Sequence, residues 1–371
     1  MMKIAVVHYQ PLAYYPPAFN FLEDLSSSKN KEVKVYTRKG AVNNFDFNFP
    51  GVTIEYLNEN FDFSGGWKGS LTFFAFHISV FFKLLAFRPC KVLYFENLSA
   101  ICVALYSVFA HRIGMYVHYH EYFEPPTVRK LPFTHKLSNL IEKKIVFEKV
   151  NWLSHTNSTR LKKYLGDNGL HNDPAIFKVF PNYPPGNWLN TSVALYKNEQ
   201  IRLIYIGSLS VNSFYFIELI EWVIMNSEKV DLTIYSYQLS RDAIDFIKEK
   251  KVGNIFLFEE GVNYYNIPDV LKNFDIGLIL YKPLNDNMRF NETNKLFEYL
   301  ICGLDVMYPV EMELITMHKE TFGDKLIPVD FLSLNKLRVE GLIQRHEQKS
   351  AYPRDFVKEV NSLKLIKALE N

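Results

Sequence analysis

Short, nearly continuous apolar runs alternate along this chain with longer stretches in which apolar residues return every three or four positions. The runs at 3–8, 33–37, 52–56, 91–95, 115–119, 151–155 and 176–180 are rich in Val, Ile, Leu, Phe and Tyr. That composition is expected of parallel strands covered on both faces. The stretches 17–28, 70–87, 98–112, 133–149 and 157–166 predict helices between them. Strand, crossover helix and parallel strand, repeated, is the doubly wound α/β pattern. The rhythm breaks over 181–200, where Pro181-Asn182-Tyr183-Pro184-Pro185-Gly186-Asn187 sustains neither a helix nor a central strand and reads as an interdomain linker. A second alternation follows, with strands at 202–206, 231–236, 254–258, 275–281 and 305–309 and helices at 214–227, 240–251, 267–273 and 294–302. Residues 335–371 read as helical and charged.

The expectation is therefore an α/β chain of two Rossmann-like, doubly wound domains, and 371 residues suit two domains of ordinary size. Ligands of such sheets sit at the carboxyl ends of the strands, so the residues just after strands are the ones that matter. A net charge of +2 gives no global electrostatic case for nucleic acid. Cys90, Cys102 and Cys302 match no zinc spacing and no disulfide framework, which suggests a reducing compartment. The start, Met-Met-Lys-Ile-Ala-Val-Val-His, reads as a strand rather than a signal peptide, so a cytoplasmic location is expected. Two apolar stretches, 71–87 and 98–110, are read as core helices. His77 and Lys83 interrupt the first, and the second is shorter than the roughly 20 residues a membrane crossing needs.

The most informative stretch is 291–303, Asn-Glu-Thr-Asn-Lys-Leu-Phe-Glu-Tyr-Leu-Ile-Cys-Gly. It predicts a helix capped at its start by Thr293 or Asn291, stopped by Gly303, and buried along Leu296, Tyr299 and Leu300. Asn294, Lys295 and Glu298 then lie in its N-terminal half. Free N–H groups, a lysine and a carboxylate one turn further in describe a site for a sugar phosphate or nucleotide.

These residues, followed by Gly303-Leu304-Asp305-Val306, resemble the donor-site helix of retaining GT-B glycosyltransferases of the family-4 type, roughly N-K-x-x-E-Y-x-x-x-G-x-P-V. The resemblance implies that Glu298 holds the ribose of a nucleotide sugar. Asp305 stands where the family has proline, and Phe290 where many members have a first glutamate, with Glu292 close by. Phe258-Glu259-Glu260-Gly261-Val262 and Phe274-Asp275-Ile276-Gly277-Leu278 resemble further family segments. There the loop at Gly261 faces the base, on which Tyr264 is placed to stack. His120-Glu121, after strand 115–119, is similar to the family's D-x-H-E, with His118 in the Asp position. By that likeness His120 contacts the transferred sugar or its phosphate, while Glu121 is a candidate base for an inverting route. Gly207-Ser208, after strand 202–206, resembles the loop that approaches the pyrophosphate, but the family's Arg and Lys are absent, Ser208, Asn212 and Ser213 standing there. Lys282, Arg289 and Lys295 are the available substitutes. Val179-Phe180-Pro181-Asn182 and Tyr15-Pro16-Pro17-Ala18-Phe19-Asn20 agree with the resemblance less specifically.

The implied organisation is an acceptor-side domain over 1–184, joined by a returning segment at 350–371, and a donor domain over 200–349. The implied activity is transfer of a sugar from a nucleoside-diphosphate sugar to a glycan or lipid-linked acceptor, with retention of configuration and with no metal and no cofactor. The rival is a non-catalytic nucleotide-sugar or glycan-binding subunit, which the missing cations after Gly207 favour. An epimerase or hydrolase of the same fold needs more histidines and carboxylates than the strand ends supply, and the start of the chain argues against a periplasmic sugar binder. Residues 129–163 hold nine Lys or Arg against Glu142 and Glu148, a basic surface suited to anionic lipid at the inner membrane face.

Overall fold

The computed structural model describes residues 1–28, 30–40, 47–57, 67–110, 112–190, 200–250, 253–343 and 352–370. The chain divides into two compact units, Met1–Asn182 with Lys358–Asn371, and Tyr183–Val357. The second unit thus begins inside the segment expected to be a linker, because Tyr183 packs on Phe297 (4.7 Å between ring centres) and Trp188 on Tyr264 (5.1 Å).

The first unit comprises β1 (Met2–Pro11), α1 (Pro16–Ser26), β2 (Lys31–Arg38), β3 (Val52–Tyr56), α2 (Trp67–Phe87), β4 (Lys91–Phe95), α3 (Ala100–Phe109), β5 (Gly114–Tyr119), α4 (Pro125–Lys130), α5 (Phe133–Ile141), β6 (Val150–His155), α6 (Ser158–Asp167) and β7 (Phe177–Val179). Its parallel sheet runs β3-β2-β1-β4-β5-β6-β7. β1 and β4 lie at the centre, and Val6, Val7, Val92, Leu93, Tyr94 and Phe95 are fully buried, which is why those runs carry no alternation. The helix expected over 133–149 is interrupted. α5 ends at Ile141 and continues as a π turn, Glu142–Val146, closed by Phe147 N–H to the Glu142 carbonyl at 3.0 Å. The wide turn carries Glu142 into the core, where Tyr94 and Tyr119 donate to its Oε1 at 2.8 and 2.7 Å.

The apolar stretch at 71–87 departs from expectation. Phe73, Phe76, Val80 and Leu84 of α2 are buried, but Trp67, Leu71, Ile78 and Phe82 are exposed, as are Val108 and Phe109 of α3. Among the described residues, only one side of α2 is covered. α2 is long and apolar enough to cross a membrane by length and composition, yet a third of it is core of this unit.

The second unit comprises β8 (Ile201–Ile206), α7 (Phe216–Met225), β9 (Val230–Tyr235), α8 (Arg241–Lys250), β10 (Ile255–Phe258), α9 (Ile267–Leu271), β11 (Ile276–Leu278), α10 (Asp286–Arg289), α11 (Asn294–Ile301), β12 (Asp305–Pro309), α12 (Glu313–Met317), α13 (Lys319–Phe322), β13 (Leu326–Val329) and α14 (Glu340–Ile343). Its parallel sheet runs β10-β9-β8-β11-β12-β13. The Arg202 guanidinium forks onto Asp275 at 2.8 and 3.0 Å and fixes β8 beside β11. The chain then returns to the first unit as α15 (Lys358–Glu370), docked by Tyr116 Oη to the Ala368 carbonyl at 2.7 Å and by Lys358 to Asp24 at 3.0 Å. The residues between α14 and Tyr352, part of the stretch expected to be helical and charged, lie outside the described residues.

Candidate functional site

In the second unit, β8 ends at Ile206 and the chain turns away through Gly207, whose φ of +141° suits glycine. The Tyr299 hydroxyl accepts the Ile206 N–H at 3.1 Å, so α11 is pinned to the end of the central strand. Gly277 makes this approach possible, because a β-carbon there would meet the Tyr299 ring at 2.2 Å. α11 stops as the glycine predicts. Gly303 has φ +89°, its N–H reaches the Leu300 carbonyl and the Leu304 N–H that of Tyr299, both at 3.0 Å. At the other end Thr293 is the capping position, but no side chain caps it, contrary to expectation.

Lys295 faces the turn, with Glu298 near enough for its charge to act on the ammonium. The Lys295 ammonium lies against Gly207 and over the Tyr205 and Tyr281 rings, at 5.7 and 5.8 Å from their centres. Burial favours loss of its proton, but Tyr281, Glu298 and Tyr237 outweigh burial and raise its pKa, so the charge is secure. Glu298 is buried and its carboxyl is pushed up to about 7, with Lys295 opposing the shift. Among the described residues its carboxyl accepts no hydrogen bond. Asn294 is half-buried beside them, and Ser208 is exposed, its carbonyl accepting from Tyr205 Oη at 2.8 Å. A secure cation against a glycine turn, with an unpartnered carboxyl one helical turn away, can take a phosphate on one side and hydroxyl groups on the other.

The other candidates lie differently. Lys282 is paired with Glu218 at 3.3 Å and Arg289 with Glu313, so both cations already have acid partners. Glu292, beside the missing first glutamate, is taken by His318 Nε2 at 2.8 Å. Gly261 has φ +69° and closes on Tyr237, as its loop requires. Tyr264, placed by the resemblance to stack on the base, is buried and packs on Trp188 (5.1 Å, 43°).

In the first unit β1, β5 with the residue after it, and β6 supply four buried histidines. His8, His118 and His155 are fully buried and His120 nearly so. His120 stacks on Phe95 (5.7 Å, 4°) and meets His118 edge-on at 4.5 Å. Burial lowers the pKa of His8 and His120 to about 3, His120 opposing protonation of His8, while Asn182 works the other way on His120. His118 and His155 are also held well below the ordinary value, mainly by burial. At pH 7 these rings are neutral, and His120 offers a hydrogen bond rather than a charge. The cation here is Arg160, which donates to the His120 carbonyl at 2.6 Å. Glu121 is exposed.

Glu96, just after β4, holds the turn in place. Its Oε1 accepts the N–H of His120 at 2.5 Å and of Glu121 at 3.2 Å. Burial, then the Glu121 charge, pushes its carboxyl up to about 8. Glu96, His8, His155 and Arg160 carry no motif. The signal that finds the first three is position alone, since each ends a predicted strand or follows one.

No family model matches the chain, and no curated protein matches it. Solved structures do. An α,α-trehalose-phosphate synthase (UDP-forming) from Burkholderia xenovorans, in complex with glucose-6-phosphate, is similar with a TM-score of 0.68 at 9% identity, covering 100% of both chains. The N-terminal domain of Candida albicans trehalose-6-phosphate phosphatase gives 0.67 at 10% identity, covering 100% of this chain and 93% of that one. UDP-GlcNAc 2-epimerase from Methanocaldococcus jannaschii gives 0.59 at 13% identity, covering 100% and 99%. With two parallel-sheet α/β units and full-length likeness to these proteins, the chain has the GT-B fold.

Proposed function

We propose that this protein is a glycosyltransferase that moves a sugar from a nucleoside-diphosphate sugar, bound in the second unit, to a glycan or lipid-linked acceptor on the first. The observation that carries the reading is Lys295 against Gly207 with Glu298 one turn behind it. The family-type arginine and lysine are missing from the turn, yet a lysine from α11 brings its charge to the same strand end. Lys295 would neutralise the leaving diphosphate, Glu298 would hold the ribose, and His120, as a neutral imidazole, would hydrogen-bond the transferred sugar. Lys282 and Arg289 would join only by leaving their carboxylates. Neutralisation by a fixed ammonium and the uncapped start of α11 is consistent with a route that uses no metal, and the family resemblance favours retention of configuration.

A cytoplasmic enzyme at the inner membrane face suits the surface of the first unit. Arg129, Lys130, Lys136, Lys143, Lys144 and Lys149 are exposed, with Phe133 and Leu140 among them, and α3 packs between this region and the half-covered α2. The second reading is a non-catalytic nucleotide-sugar or glycan-binding subunit, favoured by Ser208 in place of the arginine.

Titration calorimetry with UDP- and GDP-sugars, followed by product analysis of the nucleotide sugar with and without acceptors, tests the proposal. Donor binding with release of nucleoside diphosphate supports the transferase. Donor binding with no turnover across an acceptor panel supports the subunit, and a new sugar nucleotide in place of the old one supports an epimerase. Absence of binding to any nucleotide sugar overturns all three.

A further inference from the structure

Among the described residues, Asn30, Arg88 and Glu96 are the non-glycine residues with positive φ. Asn30 and Arg88 are exposed. Glu96 is buried, and its φ of 61° with ψ of 151° lies in a region essentially reserved for glycine. Glycine would make this turn without the strain. Strain of this kind persists where the surroundings over-determine it, and it collects at sites of function.

The surroundings here are specific. β4 and β5 run level as far as Phe95 and His118. The Glu96 N–H still donates to the His118 carbonyl at 3.1 Å, but the Glu96 carbonyl has left the sheet and accepts from the Ser99 N–H at 3.0 Å. Ser99 is fixed in turn, its hydroxyl donating to the Phe95 carbonyl at 2.6 Å and accepting the Tyr9 N–H at 2.9 Å. With both backbone groups of Glu96 held, its side chain crosses to the segment just past β5. There Oε1 accepts the N–H of His120 at 2.5 Å and of Glu121 at 3.2 Å.

His120 is gripped from its other end by α6. Arg160, in the first turn of that helix under the Asn157 cap, donates through Nη1 to the His120 carbonyl at 2.6 Å and to Thr156 Oγ1 at 3.3 Å. The N–H and the C=O of one residue are thus held by two buried ionisable side chains, and neither bond belongs to the sheet. Burying a carboxyl and a guanidinium is costly. Together with the Phe95 ring stacked on the imidazole, the two bonds set where the His120 side chain leaves the backbone and which way its ring lies.

We propose that Glu96 is a positioning residue for His120. The strained turn at the end of β4 is retained because it delivers a carboxyl to the N–H groups of His120 and Glu121, and Arg160 completes the grip at the His120 carbonyl. This role rests on the glycosyltransferase reading, in which His120 contacts the transferred sugar.

Glu96→Gly tests it by removing the carboxyl and the strain together. Lost hydrogen bonds and relieved strain oppose each other, so the Tm should stay within about 5 °C of that of the unmodified protein. Turnover of nucleotide sugar with acceptor should fall about tenfold or more, because the ring is no longer held in place. Donor Kd should change less than about threefold. Amide exchange over residues 120–121, followed by mass spectrometry, should quicken while the rest of the first unit is unaltered. Glu96→Gln keeps an oxygen for the two N–H groups, so its turnover should recover at least about fivefold over that of Glu96→Gly, with exchange slowed again. Unchanged turnover in Glu96→Gly, no recovery in Glu96→Gln, or exchange that quickens across the whole unit would overturn the proposal. In each of those cases the unmodified protein still turns over its donor, so the transferase reading stands. An unmodified protein that turns over no nucleotide sugar would remove that reading, and this role with it.

Discussion

A β-carbon on Gly207 would lie 2.7 Å from Cε and 2.8 Å from Nζ of Lys295. The glycine after the central strand of the second unit is therefore the floor on which a lysine from α11 rests. Its φ of +141° adds backbone strain to any replacement. Gly207→Ala should displace the ammonium and cost about 1–3 kcal/mol in stability. Lys295→Met keeps most of the packing and removes the charge, so it should weaken donor binding by roughly 1.5–3 kcal/mol, about ten- to hundredfold. Calorimetric titration of both variants checks this. If Lys295→Met binds the nucleotide sugar as tightly as the unmodified protein, the lysine is not the diphosphate's partner.

If Glu298 holds the ribose as proposed, donor binding has a pH dependence of defined sign. Its carboxyl, raised to about 7 by burial, is neutral below that pH and charged above it. A carboxylate accepts hydroxyl groups more strongly than the acid does, so donor affinity should rise from pH 6 to pH 8. Well below the pKa the slope should approach about tenfold per pH unit. Glu298→Gln should weaken binding by about 1–3 kcal/mol at pH 8 and remove this dependence. Titrations of the two proteins at three pH values decide the matter, and parallel pH profiles would take the ribose contact away from Glu298.

Both sheets were legible because their strands are buried on two faces and leave unbroken apolar runs, as β4 does over Lys91–Phe95. The α11 helix was legible from its stop signal, Gly303. β13 (Leu326–Val329) escaped because it is four residues long and contains Pro328, tolerated there because the strand lies at the sheet edge. The π turn escaped because Glu142 looks like a surface residue until its tyrosine partners, 23 and 48 positions away, are known. Lys282 and Arg289 looked available for the same reason, their partners Glu218 and Glu313 being distant in sequence. The exposed side of α2 was hidden by a further limit. Apolar periodicity reports that a face is apolar and does not report what covers it.

His120 is held by Phe95, His118 and the Glu96 carboxyl that accepts its own N–H, with Asn182 beside the ring. The proposed function gives this ring a hydrogen bond to the transferred sugar. His120→Ala should lower kcat by about 10²-fold while donor Kd changes less than threefold, because the proposal assigns the donor's diphosphate and ribose to Lys295 and Glu298. Steady-state kinetics combined with donor titration separates these effects. An unchanged kcat would reduce His120 to a packing residue.

The buried histidines also predict where acid begins to unfold the protein. His8 is fully buried, neither ring nitrogen has a partner, and its pKa is lowered from 6.5 to about 3 by burial and by His120. Below pH 6.5 the unfolded chain binds a proton that the folded chain refuses. The stability tied to this ring is thus complete above 6.5 and is lost as pH falls toward 3, at about 1.4 kcal/mol per pH unit. Glu96 and Glu142, raised to about 8 and 7, act in the opposite sense. Their contribution is complete below the ordinary carboxyl value of 4.5 and declines as pH rises through the folded values. A comparison with His8→Leu isolates the histidine from these carboxyls. Urea unfolding at pH 7 and pH 5 should show the unmodified protein losing about 2 kcal/mol more than the variant over that interval. Equal losses in the two proteins would mean that the ring is protonated, or hydrated, in the folded state.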